Sequence, residues 1–404
     1  MYSQIHRLKA LSVYLIAFAL GCYIYAAPAV IAVFLITWLL EGRLKEKFTA
    51  IKNSKTAWLF SSFYLLHLIG MIYSYNTSFG WFDLEIKLSL FIFPLTLVSE
   101  NVMDKREQRV FSEIFISGLV LNGLICLTHA AWLYFTQNKI VMQYKDFSLF
   151  LHPTYFSMYI DLALLFIFNL IVHHPPDLRK PEKLYLISSF FFLLFILILL
   201  QSKTGLLTSF IILTILLVRY ILHKRSWKTG IAIVVASVFL TLFTSHYILN
   251  PGPSRFQSVS KLLEHNEPVD NKSIESSQAR ILVWQSAWQV IKNNPVFGVG
   301  TGDVKDALVA QYSKNNYTGI MKERLNAHNE YLQVTAALGI TGLLCLLSCL
   351  VLPLYVGIQQ KRFVYVLFIL IMLINFLTES VLETQGGTIF YGFFNSLLMF
   401  NFVI

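Results

Sequence analysis

The chain has 404 residues, of which 56% are hydrophobic and only 13% are charged. Soluble domains average roughly 25% charged residues, so this composition excludes a water-soluble globular class. The formal net charge of +10 is typical of cationic loops that orient membrane helices, and we expect no nucleic-acid partner.

Apolar runs separated by polar breaks predict about twelve transmembrane helices, because each span needs about 20 mostly apolar residues. Their approximate limits are 10–25, 27–41, 57–74, 86–100, 110–135, 153–173, 184–200, 204–222, 229–248, 329–357, 363–380 and 387–404. Only Ala26-Ala27-Pro28 separates the first two, which predicts a helical hairpin. The first run is predicted to be a retained anchor, not a cleaved signal peptide.

Lysine and arginine concentrate in alternate loops, and this bias predicts which side of the membrane each loop occupies. The basic loops contain Arg7/Lys9, Arg43 to Lys55, Lys105/Arg106/Arg109, Arg179/Lys180/Lys183, Lys224/Arg225/Lys228 and Lys361/Arg362. Both termini are therefore expected in the cytoplasm. The chain divides into an N-terminal bundle (1–249), a large outer loop (250–328) and a C-terminal bundle (329–404).

The outer loop has two predicted parts. Residues 250–277 are rich in Pro, Ser, Asn and charge, which favours irregular structure. Hydrophobic residues then recur at helical spacing, namely Ile281, Trp284, Trp288 and Ile291, until Asn293-Asn294-Pro295 ends the helix. This amphipathic helix either lies at the membrane surface or packs on the bundle, and the two interpretations are compatible.

Two residues of the loop are candidates for chemistry. His328 precedes a long apolar helix, with Asn326 as a predicted N-cap, and the helix start favours a neutral imidazole that is able to act as a general base. The alternative is an interfacial histidine that only caps the helix. Arg280, at the start of the amphipathic helix, suits a phosphate, or else it binds ordinary lipid headgroups.

Two further cations are weaker candidates. Lys203 lies in the polar turn Gln201-Ser202-Lys203-Thr204-Gly205 between two apolar runs. A charged side chain at such a position is interpreted as functional, because burying a charge near the membrane is costly. The alternative is a snorkelling lysine. Arg324, four residues before His328, either joins it in binding an anion or is a solvated loop arginine.

Acidic residues offer a competing chemistry. Two pairs, Asp83/Glu85 and Asp303/Asp306, lack the spacing of a metal site and are interpreted as solvated loop residues, so no metal is predicted. A second group of polar residues lies at the outer ends of spans or inside one and is predicted to face a cavity or the acceptor. It comprises Glu379, Glu383, Gln385, Asp161 and Tyr155.

The four cysteines lie in apolar runs, which predicts no disulfide.

Three motifs occur in order along the chain: Arg280-x3-Trp284-x2-Ala287, then Pro295-x-x-Gly298-x-Gly300-x-Gly302, then His328-Asn329-x-x-Leu332-Gln333 followed by Gly339-x-x-Gly342. Together they resemble the O-antigen ligase family of polytopic membrane glycosyltransferases, which also covers O-antigen polymerases and protein O-oligosaccharyltransferases. The resemblance implies an all-α membrane protein of the bacterial inner membrane with one large periplasmic loop, acting in lipopolysaccharide biosynthesis.

The resemblance also implies a metal-independent and cofactor-free transferase. Its donor would be an undecaprenyl-diphosphate-linked glycan and its acceptor lipid A-core or another hydroxyl. A histidine at the position of His328 would activate the acceptor, and an arginine at the position of Arg280 would bind the diphosphate. Where the family has another arginine this chain has Lys203, which keeps the charge but loses the bidentate geometry.

Two kinds of alternative remain. A polymerase or a protein O-oligosaccharyltransferase of the same superfamily would use the same donor with a different acceptor. A non-enzymatic polysaccharide transporter or flippase belongs to another class. Such a transporter would show internal repeats and helices broken at the membrane midplane, and the sequence indicates neither.

Overall fold

A computed structural model describes residues 2–141, 144–173, 179–224 and 276–402, and within these ranges it is helical without strands. The first helices are α1 (Tyr2–Cys22), α2 (Ala27–Leu40), α3 (Leu44–Asn53), α4 (Lys55–Gly70), α5 (Thr77–Lys87), α6 (Ser89–Leu97), α7 (Lys105–Gln137), α8 (Tyr144–Phe147) and α9 (Pro153–His173). They are followed by α10 (Lys180–Leu200), α11 (Lys203–Lys224), α12 (Ser276–Asn293), α13 (Val304–Lys314), α14 (Thr318–Lys322), α15 (Glu330–Gln359), α16 (Phe363–Thr378) and α17 (Gln385–Phe400). The predicted all-α class is confirmed.

Seven helices in the described ranges are long and apolar enough to cross a membrane, namely α1, α4, α7, α9, α10, α11 and α15. An eighth span results if the bent pair of α2 and α3 is counted as one. The chain is thus a multi-pass membrane protein. Twelve spans and their orientation remain predictions, and the predicted span at 229–248 and the loop segment 250–275 lie outside the described residues.

Helix α9 occupies the centre of the bundle, where it packs on α7, α10, α11 and α16. Its contact with α11 is close, because a Cβ on Gly205 would lie 2.2 Å from the Ser157 hydroxyl. One turn further along both helices, the Ser209 hydroxyl donates to Asp161, which is fully buried. Equal steps of four residues on the two helices show that α9 and α11 run parallel.

The long helix α15 is broken at Gly339, which has a φ of 64°. The sequence indicated no broken helix, and α15 differs in this respect. The loop after α12 occupies the break: Ile340 N–H donates to Pro295 (2.9 Å) and Gly300 N–H donates to the Ala337 carbonyl (2.8 Å). Gly298, at φ 69°, lies so close that a Cβ would be 2.4 Å from the Ala337 carbonyl. The glycine-rich motif therefore supplies hydrogen bonds that the broken helix lacks.

Helices α12, α13 and α14 pack together on the start of α15 and enclose a second hydrophobic core. The buried face of α12 differs from the predicted stripe. Of that stripe, Ile291 is buried whereas Trp288 is 54% exposed; the other buried hydrophobic residues include Leu282, Val283, Ala287 and Val290. The sequence pattern marked the large aromatic residues, but the tight contact with α13 and α15 selects smaller side chains.

Candidate active site

His328 lies in a short connection between α14 and α15 with its backbone in the left-handed region, at φ 44°. The structure corrects the predicted cap. Asn329, not Asn326, caps α15 by accepting from Leu332 N–H at 3.0 Å. The Asn326 side chain instead accepts the His328 backbone N–H at 3.1 Å. His328 therefore precedes the helix, and its backbone is held by the Asn326 side chain.

The His328 imidazole contacts a carboxylate at the end of the neighbouring helix α16. Its Nδ1 atom lies 2.8 Å from Oε1 of Glu379, the residue that ends α16. Oε2 of the same carboxylate lies 3.7 Å from the Arg280 guanidinium on α12, which is an electrostatic contact and too long for a hydrogen bond. The side chains of His328 and Arg280 are 27% and 22% exposed, whereas that of Glu379 is 7% exposed. The carboxylate thus lies beneath two groups that remain accessible.

The protonation of this cluster follows from the environment of Glu379. Burial alone would raise the pKa of Glu379, but the hydrogen bond and charge of His328, with Arg280, outweigh burial and lower the pKa below its ordinary value. The carboxylate is therefore ionised at neutral pH and only accepts hydrogen bonds. We infer that the proton in the hydrogen bond between His328 and Glu379 lies on Nδ1 of His328. In a neutral imidazole the other nitrogen, Nε2, is then free to accept a proton.

Lys203 and Tyr155 lie next to this cluster. The hydroxyl of Thr204, adjacent to Lys203 at the start of α11, lies 2.7 Å from that of Thr378, the residue before Glu379. Lys203 itself is half-buried. Tyr155 is buried in the first turn of α9 and donates to the Ser380 carbonyl at 3.4 Å. The tertiary structure thus brings residues from α9, α11, α12, α15 and α16 to one end of the bundle.

Beneath the cluster is a buried charge network that the sequence did not reveal. Lys87, which is fully buried, donates to Asp83 and to Glu383, the latter at 2.8 Å. Glu383 also accepts from Gln333 at 3.1 Å, and Gln333 in turn accepts from the Ala327 N–H at 3.0 Å. The network therefore connects α5 with the residue before His328.

This network corrects the prediction that Asp83 is a solvated loop residue, since it is 3% exposed within α5. Burial raises the pKa of Asp83 above its usual range although the charge of Lys87 opposes the shift. An acid at position i and a lysine at i+4 are the only local signal for the pair. Whether such a pair is buried depends on the helices that cover it.

Arg324 forms its ion pair with Asp306, at 2.7 Å, and its side chain is 52% exposed. The Asp303 carboxylate accepts the backbone N–H groups of Tyr75 and Asn76. The second acidic pair therefore joins the outer helices to the turn before α5, and Asp303 and Asp306 are structural ties. The remaining candidates lie apart: Gln385 is exposed at the start of α17, and Asp161 is buried two turns along α9.

A family model described as "O-Antigen ligase" matches residues 188–347. This stretch contains Lys203, Arg280, Arg324 and His328, and Glu379 follows it. No curated protein matches the chain. Among the described residues, no three His, Cys, Asp or Glu side chains are grouped in a way that would hold a metal ion. The matched domain and the multi-pass helical architecture agree, and residues 188–347 of this membrane protein are similar to the O-antigen ligase family.

Proposed function

We propose that the protein is an inverting, metal-independent glycosyltransferase that moves a glycan from an undecaprenyl-diphosphate carrier to an acceptor hydroxyl. The observation that carries the proposal is that Glu379 contacts both His328 and Arg280 where the ends of three helices meet. It combines a base, a group that orients the base and a permanent cation, which are the groups that this reaction requires. The proposed location is the bacterial inner membrane, with the site on the periplasmic side and both termini in the cytoplasm.

His328 acts as the general base in this proposal. Its Nε2 accepts the proton of the acceptor hydroxyl while the oxygen forms a bond to the anomeric carbon of the donor sugar. The bond from that carbon to the diphosphate oxygen breaks on the opposite side, so the anomeric configuration inverts. Glu379 holds Nδ1–H and stabilises the imidazolium that forms, as the carboxylate does in other histidine-containing catalytic groups.

Arg280 and Lys203 bind the diphosphate and stabilise the charge that develops on it as the sugar departs. The 3.7 Å separation between Arg280 and Glu379 supports this role, because the guanidinium is attracted to the carboxylate without donating a hydrogen bond to it. Lys203 provides a compact ammonium charge at the position where the family has the planar guanidinium of an arginine. Arg324 forms its ion pair with Asp306, so it contributes to diphosphate binding at most from the edge of the site.

The acceptor is proposed to be lipid A-core, which makes the protein an O-antigen ligase. The family match supports a lipid-linked glycan and a lipid acceptor at a membrane. Tyr155, Glu383 and Gln385 would line the acceptor side, since Tyr155 donates to Ser380, next to Glu379, and the other two lie just before and at the start of α17. Asp161 is buried between α9 and α11, and we propose a packing role for it.

The test is a reaction with purified full-length protein, an undecaprenyl-diphosphate-linked glycan and one of three acceptors, in buffer with EDTA. The acceptors are lipid A-core, a second lipid-linked glycan, and a Ser/Thr-containing peptide. We expect transfer to lipid A-core with inversion of the anomeric centre, measured by mass spectrometry and NMR of the product. Transfer only to the second or third acceptor would replace the ligase by a polymerase or a protein ligase. Absence of any product with an active, folded preparation would contradict the proposal.

A further inference from the structure

A short basic helix, α3, lies at the end of the bundle opposite to His328. Helix α17 runs between the two ends: it begins beside Glu383, and after it the Asn401 side chain donates to the carbonyls of Leu97 and Glu100. Glu100 forms an ion pair with Lys9, and Lys9 forms one with Glu41, the residue after α2. Helix α3 starts three residues later.

The direction of α3 differs sharply from that of α2. Gly42 and Arg43 both adopt left-handed backbone conformations, with φ of 77° and 54°. The two helices are bent by 112° relative to each other. Because α2 is an apolar helix with lipid-facing side chains such as Ile36 and Leu40 exposed, this bend directs α3 along the membrane surface and not away from it.

The rotation of α3 about its axis is determined by a buried lysine. Lys47 forms an ion pair with Glu41 at 2.8 Å, donates to the Trp38 carbonyl and lies 4.6 Å from the centre of the Trp38 ring. Ile51, one turn later, is buried on the same face. Leu44 and Phe48 lie at the edge of this face, three residues before and one residue after Lys47, and remain 41% and 59% exposed.

The exposed lysines of α3 lie on one side of that apolar pair. At about 100° per residue, Lys52 and Lys45 follow Phe48 around the helix, on the side away from Lys47, and both are exposed. The only acid on α3, Glu46, points away from this pair and forms an ion pair with Arg43. An exposed apolar pair bordered on one side by lysines suits a membrane interface, with the ammonium groups at headgroup level.

We propose that α3 is a binding surface for acidic phospholipid headgroups, with Leu44 and Phe48 inserted among the acyl chains and Lys45 and Lys52 bound to the phosphates. The apolar part of the surface continues that of α2 at Leu39 and Leu40, which favours lipid over a protein partner. The sequence alone indicated an ordinary basic loop that sets orientation. The bend and the buried Lys47 convert this loop into an oriented lipid-binding helix.

The test uses the full-length protein in mixed micelles with equal amounts of phosphatidylglycerol and phosphatidylcholine, and native mass spectrometry counts the retained lipids. Wild type is expected to retain phosphatidylglycerol preferentially. The double variant Lys45→Gln/Lys52→Gln should bind it about 25-fold more weakly, at about fivefold for each lysine. Phe48→Ser should reduce retention of both lipids. Inorganic phosphate, added as a competitor, should not displace the bound lipid.

The matched control is Lys314→Gln/Lys322→Gln, which neutralises two exposed lysines near the other end of the bundle. It should leave phosphatidylglycerol retention unchanged. Equal retention by the Lys45/Lys52 variant and wild type, or an equal loss in the control, would overturn the proposal. Displacement by inorganic phosphate would show a simple anion site and would also overturn it. All four substituted lysines are exposed, so the variants are expected to fold, and monodispersity in detergent checks this.

Discussion

Nδ1 of His328 and Oε1 of Glu379 are 2.8 Å apart although 51 residues separate them in the chain. One residue follows α14 and the other ends α16, so their contact depends on how the outer helices dock on the bundle. A carboxylate held against one nitrogen of an imidazole leaves the other nitrogen available for chemistry. The first two predictions concern this pair and the adjacent guanidinium.

Removing the base or the cation should stop transfer without unfolding the protein. We expect His328→Ala to lower kcat about 10²–10⁴-fold, the usual contribution of a general base. Arg280→Ala should lower it about 10²–10³-fold, because a fixed charge facing the leaving group is lost. The measurement is the rate of glycan transfer in the purified system, with chromatographic monodispersity as the folding control. Normal transfer by either variant would remove that residue from the mechanism.

Replacing Glu379 by an uncharged isostere tests its orienting role. Glu379→Gln should lower kcat about 10²-fold or more with a smaller effect on KM, because an amide no longer selects the Nδ1–H form or stabilises the imidazolium. Glu379→Asp should recover part of the rate. The control is Glu85→Gln, which removes an exposed carboxylate on α5 and should have no effect. A rise in KM alone would instead indicate that Glu379 contributes only to binding.

Two glycines with similar backbone conformations should respond differently to alanine. Gly298 and Gly42 have φ of 69° and 77°, but a Cβ on Gly298 would lie 2.4 Å from the Ala337 carbonyl, whereas nothing lies within 4 Å at Gly42. Gly42→Ala should cost about 1 kcal/mol of stability from the backbone alone. Gly298→Ala should cost about 3 kcal/mol or more, because the loop must leave the break in α15.

Thermal unfolding followed with a thiol-reactive dye measures this difference. The four free cysteines are buried or half-buried and become reactive as the protein unfolds. Equal destabilisation by the two substitutions would show that the 295–300 loop does not support α15.

Stability should also depend on pH through Glu41. Burial alone would raise the pKa of Glu41, but hydrogen bonds from Lys47, Lys9 and His6 outweigh it and lower the pKa to about 2. Because the folded-state pKa lies below the unfolded value near 4.5, the stabilisation is fully present above about pH 4.5. It is lost as pH falls from there toward about 2, by about 3 kcal/mol in total.

The same dye assay, run as a pH series below neutrality, measures this loss. Glu41→Gln should be less stable than wild type at pH 7 and should show a flatter pH dependence between about pH 4.5 and 2. Glu46→Gln, which removes an exposed carboxylate in the next turn, should behave like wild type. An unchanged pH slope in Glu41→Gln would contradict the assignment.

The helical class and the end of α12 at Asn293 could be predicted, since each follows from a local pattern. Apolar length predicts a span, and Asn-Asn-Pro predicts a helix end. The prediction that Asp83 is a solvated loop residue was wrong, and the apolar stripe of α12 coincides with its buried face only at Ile291. Both depend on which neighbouring helix covers a residue, and no local periodicity records that.

The sequence by itself determined that this is a helical membrane protein and that Arg280 and His328 are candidates for chemistry at the ends of helices. Hydrophobic length and charge are properties of short segments, so these conclusions required no coordinates. Only the tertiary structure decided that Glu379 contacts the imidazole, that Lys87 is fully buried between two carboxylates and that α3 turns Lys45 and Lys52 outward. These facts depend on contacts between segments distant in the chain, because packing determines which side chains meet.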